Sequence, residues 1–154
     1  DLDSDSGFIS GLWCEGEDIY IGHECNTTMY YPGLTTITNS GTAEAFPKIK
    51  FTSADYYSYL HTIYNATTGQ ETGLWYKLLD GETLTVDYKK KAITSNFYGD
   101  RIGDNPLPGT TFANWRLAPG QNIVRCWGQE IGGATLTAIA TWHPVYKGCD
   151  GAAS

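Results

Sequence analysis

The chain is poor in what helical, membrane-spanning and nucleic-acid-binding proteins need. It contains a single methionine, and no segment carries a helical apolar period to compete with its alternating ones. No apolar run approaches the ~20 residues of a membrane span, and no signal-peptide pattern is visible. No lysine or arginine precedes Lys48, whereas eight acidic residues do. With 17 acidic against 10 basic residues the net charge is −7, which argues against nucleic acid and anionic membranes as partners. No glycine-rich loop opens a helix and no serine sits in a nucleophile elbow, so phosphate-binding and nucleophilic signals are missing.

Metal and disulfide signals are equally thin. The cysteines, Cys14, Cys25, Cys126 and Cys149, show no two-residue gap of a zinc knuckle. Four of them in 154 residues do not amount to a disulfide framework. His23, His61 and His143 are far apart and read as ordinary surface or half-buried side chains. No metal or other cofactor is expected. The chain begins at Asp1 rather than methionine and is expected to be a processed product or an excised piece.

What is present reads as β structure. Eighteen glycines, eleven tyrosines and five tryptophans accompany many threonines. The chain is organised around residues 56–98. Residues 59–64 form a strand closed by the turn formers of Asn65-Ala66-Thr67-Thr68-Gly69. Residues 71–79 return, and Asp80-Gly81 predicts a type I′ hairpin. Residues 83–88 alternate, with Leu84, Val86 and Tyr88 on one face. A lysine corner, 89–91, precedes a last strand over 92–97. This stretch is expected to be an antiparallel meander.

On either side the same grammar continues. Residues 1–7 are short, acidic and expected to fray. Strands are predicted over 8–13 and 18–22, then over 34–38 after a turn at 30–33. Pro47 opens a strand through Ile49 and Phe51, with Lys48, Lys50 and Thr52 facing water. Residues 99–111, with two prolines, read as a long loop. A strand is predicted over 111–117, then a Pro119-Gly120 turn, then a final hairpin of 122–128 with 134–143. A chain of this length buries ~70% of its unfolded surface. The expected fold is all-β: one antiparallel two-sheet sandwich domain over 8–154.

A series of short pieces also carries a resemblance. These are Pro47 with Ile49 and Phe51, residues 63–69 (Ile-Tyr-Asn-Ala-Thr-Thr-Gly), residues 81–87 (Gly-Glu-Thr-Leu-Thr-Val-Asp) and residues 117–122 (Leu-Ala-Pro-Gly-Gln-Asn). In this order and spacing they resemble the C-terminal domain of the distal tail proteins of long-tailed bacteriophages. The resemblance spans residues 36–125 and implies a galectin-like, jelly-roll-like sandwich at the periphery of a hexameric tail-tip hub. It implies a structural, non-enzymatic virion role in assembly and host attachment, with other tail-tip proteins as partners. It also implies assembly in the bacterial cytoplasm, and hence free thiols. If one bridge exists, Cys14–Cys25 is the expected pair. The family's ring-forming N-terminal domain has no counterpart in residues 1–35, so the piece is expected to be a monomer although its parent is hexameric.

Two competing readings stay open: a carbohydrate-binding module, and a secreted sandwich enzyme acting on polysaccharide. The enzyme needs two carboxylates set across a cleft. Glu71, Glu82 and Asp87 are the candidates, but they read as structural. Glu82 follows a turn, and Asp87 precedes the lysine corner, where a carboxylate accepts backbone N–H bonds. The module is favoured by the aromatic excess. Trp75, Trp115 and Trp127 are the expected carbohydrate-binding residues, because each has polar neighbours on a strand or beside a turn; a host-surface glycan is the expected ligand. Of the two sequons, at Asn26 and Asn65, Asn65 is better explained as a turn residue.

Overall fold

A computed structural model describes residues 19–29, 33–100 and 112–147. The expected frayed tail, the 8–13 strand, the Cys14 end of a bridge, residues 30–32 of the first turn and residues 101–111 of the long loop lie outside these. Twelve strands are described: β1 Ile19–Ile21, β2 Cys25–Met29, β3 Gly33–Asn39, β4 Lys48–Ala54, β5 Ser58–Asn65 and β6 Gln70–Leu78. They continue with β7 Thr83–Asp87, β8 Ala92–Ser95, β9 Gly99–Asp100, β10 Gly120–Glu130, β11 Thr135–Trp142 and β12 Val145–Lys147. A six-stranded sheet has the order β9-β8-β7-β4-β11-β2, and a four-stranded sheet the order β3-β10-β5-β6. β12 and β1 form a ribbon, and every strand pair is antiparallel.

The two larger sheets face one another as a sandwich, as alternation dictates. On β4, Ile49, Phe51 and Ser53 are buried while Lys48, Lys50 and Thr52 face outward. On β7, Leu84 and Val86 point in. They meet Leu60 and Ile63 of β5, Leu74 and Leu78 of β6, and Val124 of β10 in one cluster.

Strand existence was legible, but strand partnership was not. The 56–98 stretch is not a meander: β5 and β6 pair in the four-stranded sheet, β7 and β8 in the six-stranded one. The chain changes sheets at Asp80-Gly81. Gly81 has a positive φ of 80° and Asp80 does not, so the turn is not the primed type that a hairpin needs. The Glu82 N–H donates to the Leu79 carbonyl, and positive φ at the third position alone matches a type II turn. The Gly81 N–H donates to the Ser53 carbonyl and the Asp55 N–H to Asp80 Oδ1, tying the crossover to the end of β4.

The predicted final hairpin fails in the same way. β10 pairs with β3 and β5, whereas β11 pairs with β2 and β4. Residues 112–117 are also no strand. Phe112–Asn114 is a 3₁₀ turn, and Leu117 makes an isolated bridge to Ala45. The strand predicted over 92–97 ends at Ser95, whose Oγ accepts the N–H groups of Phe97 and Tyr98 and turns the chain.

The motifs behind the resemblance meet in space. Asn65 Oδ1 accepts the N–H of Thr67 at 2.9 Å, the turn expected of it. Its Nδ2 donates to the Arg116 carbonyl at 2.8 Å and to Asn122 Oδ1 at 3.2 Å. Asn122 in turn braces its own loop, accepting from the Ala118 N–H and donating to the Ala118 carbonyl, both at 2.8 Å. Both asparagines are fully buried, so each amide must be satisfied internally. The Asn65 sequon therefore offers no free amide to a glycan.

Candidate functional site

The outer face of the four-stranded sheet carries the aromatic excess. On β6, Trp75 and Lys77 point outward; on β10, Ile123, Arg125 and Trp127 do. β5 contributes Tyr59, His61, Thr62 and Tyr64, and needs a bulge to do so. Leu60 pairs with Gly128 and Thr62 with Trp127, which leaves His61 as the extra residue. Were His61 paired in register, strict alternation from Leu60 would put Tyr64 inside; bulged out as an extra residue, it sends Ile63 into the core and lets Tyr64 join Tyr59 outside.

Two ring clusters result. His61 stacks on Trp75 with centroids 4.7 Å apart and planes 14° apart, and Tyr59 lies 5.9 Å from the same indole at 20°. Trp75 nevertheless remains 65% exposed. Tyr57 continues the row edge-on to Tyr59, with the Lys77 ammonium 4.3 Å from its centroid. Across the sheet, Trp127 is 38% exposed, stacks on Tyr64 at 6.4 Å and carries the Arg125 guanidinium at 5.2 Å. His61 Nε2 is buried and makes no hydrogen bond. Large exposed aromatics held in fixed geometry, with charged and polar groups at their rims, form a preorganised stacking surface.

Of the three tryptophans expected to bind sugar, Trp75 and Trp127 share this face. Trp115 does not: it is fully buried, stacks on Tyr88 at 4.7 Å and donates its Nε1–H to the Ile63 carbonyl at 3.1 Å. The 3₁₀ turn before it swings the ring inward, which its polar sequence neighbours conceal. Tyr59, His61, Tyr64 and Arg125 were missed: Tyr64 reaches this face only through the bulge, whereas Tyr59 and Arg125 simply follow the parity of their strands.

The carboxylates do not converge. Glu71 lies on the outer face of the four-stranded sheet and Asp87 on that of the other. Glu82 is fully buried, accepting hydrogen bonds from the Tyr76 hydroxyl, Ser95 Oγ and the Leu79 N–H. Asp87 Oδ1 accepts the N–H groups of Lys89 and Lys90, both at 3.0 Å. Among the described residues no three His, Cys, Asp or Glu side chains are grouped to hold a metal ion. Cys25 and Cys126 are free thiols. No described helix is long and apolar enough to cross a membrane.

Comparison with known proteins agrees with this fold. A search of curated sequences gave no match. The chain is similar in structure to the Dit protein of phage SPP1, described as a paradigm of the hub adsorption apparatus in phages infecting Gram-positive bacteria. The TM-score is 0.59 and the identity 18%, over 82% of this chain and 48% of that one. The present chain thus spans about half of that protein's length. Residues 40–146 match the family model described as the C-terminal domain of the siphovirus-type tail component, and by that match the chain belongs to the siphovirus-type tail component family.

Proposed function

We propose that this domain is a non-catalytic, peripheral part of a phage tail-tip hub, and that the outer face of its four-stranded sheet touches host-surface glycan. Family membership carries the first half. Trp75 carries the second: an indole 65% exposed, fixed against His61 and Tyr59 in a contiguous aromatic row, is the kind of exposed patch that marks an interaction surface. The negatively polarised face of such a ring suits the apolar C–H face of a sugar. Thr62, on the outer face of β5, supplies a polar group for hydroxyls. In this reading the domain works in the virion tail, follows assembly in the bacterial cytoplasm, and contacts other tail-tip proteins. The isolated piece is a monomer, and ring closure belongs to the rest of a hexameric parent. A stable hexamer in light scattering would refute that division of labour.

The decisive experiment is calorimetry against polysaccharides purified from candidate hosts. Binding should weaken at least ~tenfold, ~1.4 kcal/mol, in Trp75→Ala, with a smaller loss in Trp127→Ala. Trp115→Ala is no test of binding, because it removes core. Absence of heat with every host polysaccharide would leave only the structural role. Release of reducing ends by the wild-type chain would overturn the non-catalytic half.

A further inference from the structure

The end of the six-stranded sheet holds a second site of different chemistry. Antiparallel pairing brings the start of β4 beside the ends of β7 and β11, with Lys48 opposite both Asp87 and Thr141. The lysine corner folds over this end. Together they line a cleft of about 190 Å³, with Lys48, Lys89, Lys90 and His143 around it and Glu24 and Asp87 as its acids. Asp87 already spends Oδ1 on two backbone N–H groups. Among the described residues none of the three lysine ammonium groups makes an ion pair. Trp142, also in the wall, keeps its indole Nε1 buried without an acceptor. On a chain of net charge −7, three ammonium groups against the two carboxylates of Glu24 and Asp87 leave this cleft one net positive charge, opposite in sign to the molecule.

A smaller hollow of about 90 Å³ adjoins it, sharing Phe46, Lys89 and His143 and adding Ile21 and Val145. The pair thus offers a cationic half continuous with an apolar half. A lone phosphate would use only the first half. We infer that this bipartite cleft binds an acidic peptide segment of a partner protein, seating a carboxylate among Lys48, Lys89 and Lys90 and a neighbouring apolar side chain against Phe46, Ile21 and Val145. Lysines supply point charges rather than a bidentate fork, so the carboxylate is held by field and the apolar side chain gives register.

The test uses the whole chain and its three histidines. A peptide alternating leucine and aspartate is titrated while the imidazole resonances are followed by NMR. His143 should shift and saturate, and His61, on the opposite sheet, should not. Affinity should fall at least ~tenfold in the double variant Lys89→Glu, Lys90→Glu, and fall as salt rises. The variant should fold, because those residues hold Asp87 through backbone N–H groups, and Lys48→Ala gives an independent, smaller loss. Replacing leucine by serine in the peptide should weaken binding. The inference is overturned if the uncharged peptide binds equally, if inorganic phosphate alone saturates His143 at similar concentration, or if anionic vesicles move it and the peptide does not. Glycan binding at Trp75 reads out at His61, so failure of one proposal leaves the other standing.

Discussion

Glu82 and Trp115 both do internal work that their sequence surroundings disguise. The Glu82 carboxylate lies fully buried where the chain crosses between sheets, and three donors converge on it. Removing it strands those donors without an acceptor, and each stranded buried group costs ~1–3 kcal/mol. Glu82→Ala should therefore destabilise the fold by ~3 kcal/mol or more in urea unfolding, and Glu82→Gln by less, since the amide keeps one acceptor. A neutral Glu82→Ala would mean the network carries no stability. Trp115→Ala should cost ~3–5 kcal/mol, as large aromatic truncations in cores do. Trp75→Ala should stay within ~0.5 kcal/mol of wild type, because its ring is on the surface. Comparable thermal shifts for the two would contradict the burial that separates them. Polarity of adjacent residues suggested the same surface role for both rings; only the 3₁₀ turn at Phe112–Asn114 distinguishes them.

At the scale of elements, period-2 alternation located most strands well. β4 and β7 bury the residues their patterns nominate. Turn chemistry was less informative, because a reversal of chain direction does not say which sheet receives the next strand. Three reversals at one end of the sandwich, through Asp55 after β4, Asp80-Gly81 after β6 and Gly132-Gly133 after β10, pass the chain to the opposite sheet. The site was half legible for a related reason. Trp75 and Trp127 follow alternation, whereas the parity change at His61 lies in a pairing irregularity that no local pattern encodes. The ribbon of β1 and β12 rests on a contact of another kind. Thr42 and Ala43 both donate N–H bonds to the Val145 carbonyl, and Gly41 beside them has no room for a side chain. A Cβ there would lie 2.4 Å from the Val145 oxygen and 2.6 Å from its nitrogen. Gly41→Ala should cost ~1–3 kcal/mol and raise amide exchange at Thr42 and Ala43, with β5 and β10 unaffected. Unchanged exchange at those two amides would show that the ribbon can shift freely.

For the molecule as a whole, the sandwich seals two acidic hydrogens that water would otherwise titrate. Burial pushes the Cys126 thiol from its ordinary value of 9.0 up to about 12. Burial also drives the Tyr88 phenol far above its ordinary 10.0, opposed in part by the hydrogen bond to Thr72 and helped by neighbouring Cys126. Both groups stay protonated in the folded state at pH values where the unfolded chain would ionise them. The stability they confer is therefore complete below their ordinary values and lost as pH rises through them. Loss should begin near pH 9.0 for Cys126 and continue toward about 12. Tyr88 joins above 10.0. Each group contributes a slope of up to ~1.4 kcal/mol per pH unit, so between pH 10 and 11 the two together approach twice that. Growing negative charge adds self-repulsion, which salt screens and the burial effect survives. Urea midpoints measured in high salt from pH 7 to 11 should be level up to about 8.5 and then fall. Tyr88→Phe should start lower, having stranded Thr72, but lose about half the slope above pH 10. If the wild-type curve stays level to pH 11, or if Tyr88→Phe keeps the full slope, then these two side chains are not sealed from solvent and the packing of β6, β7 and β10 around them must be looser than described.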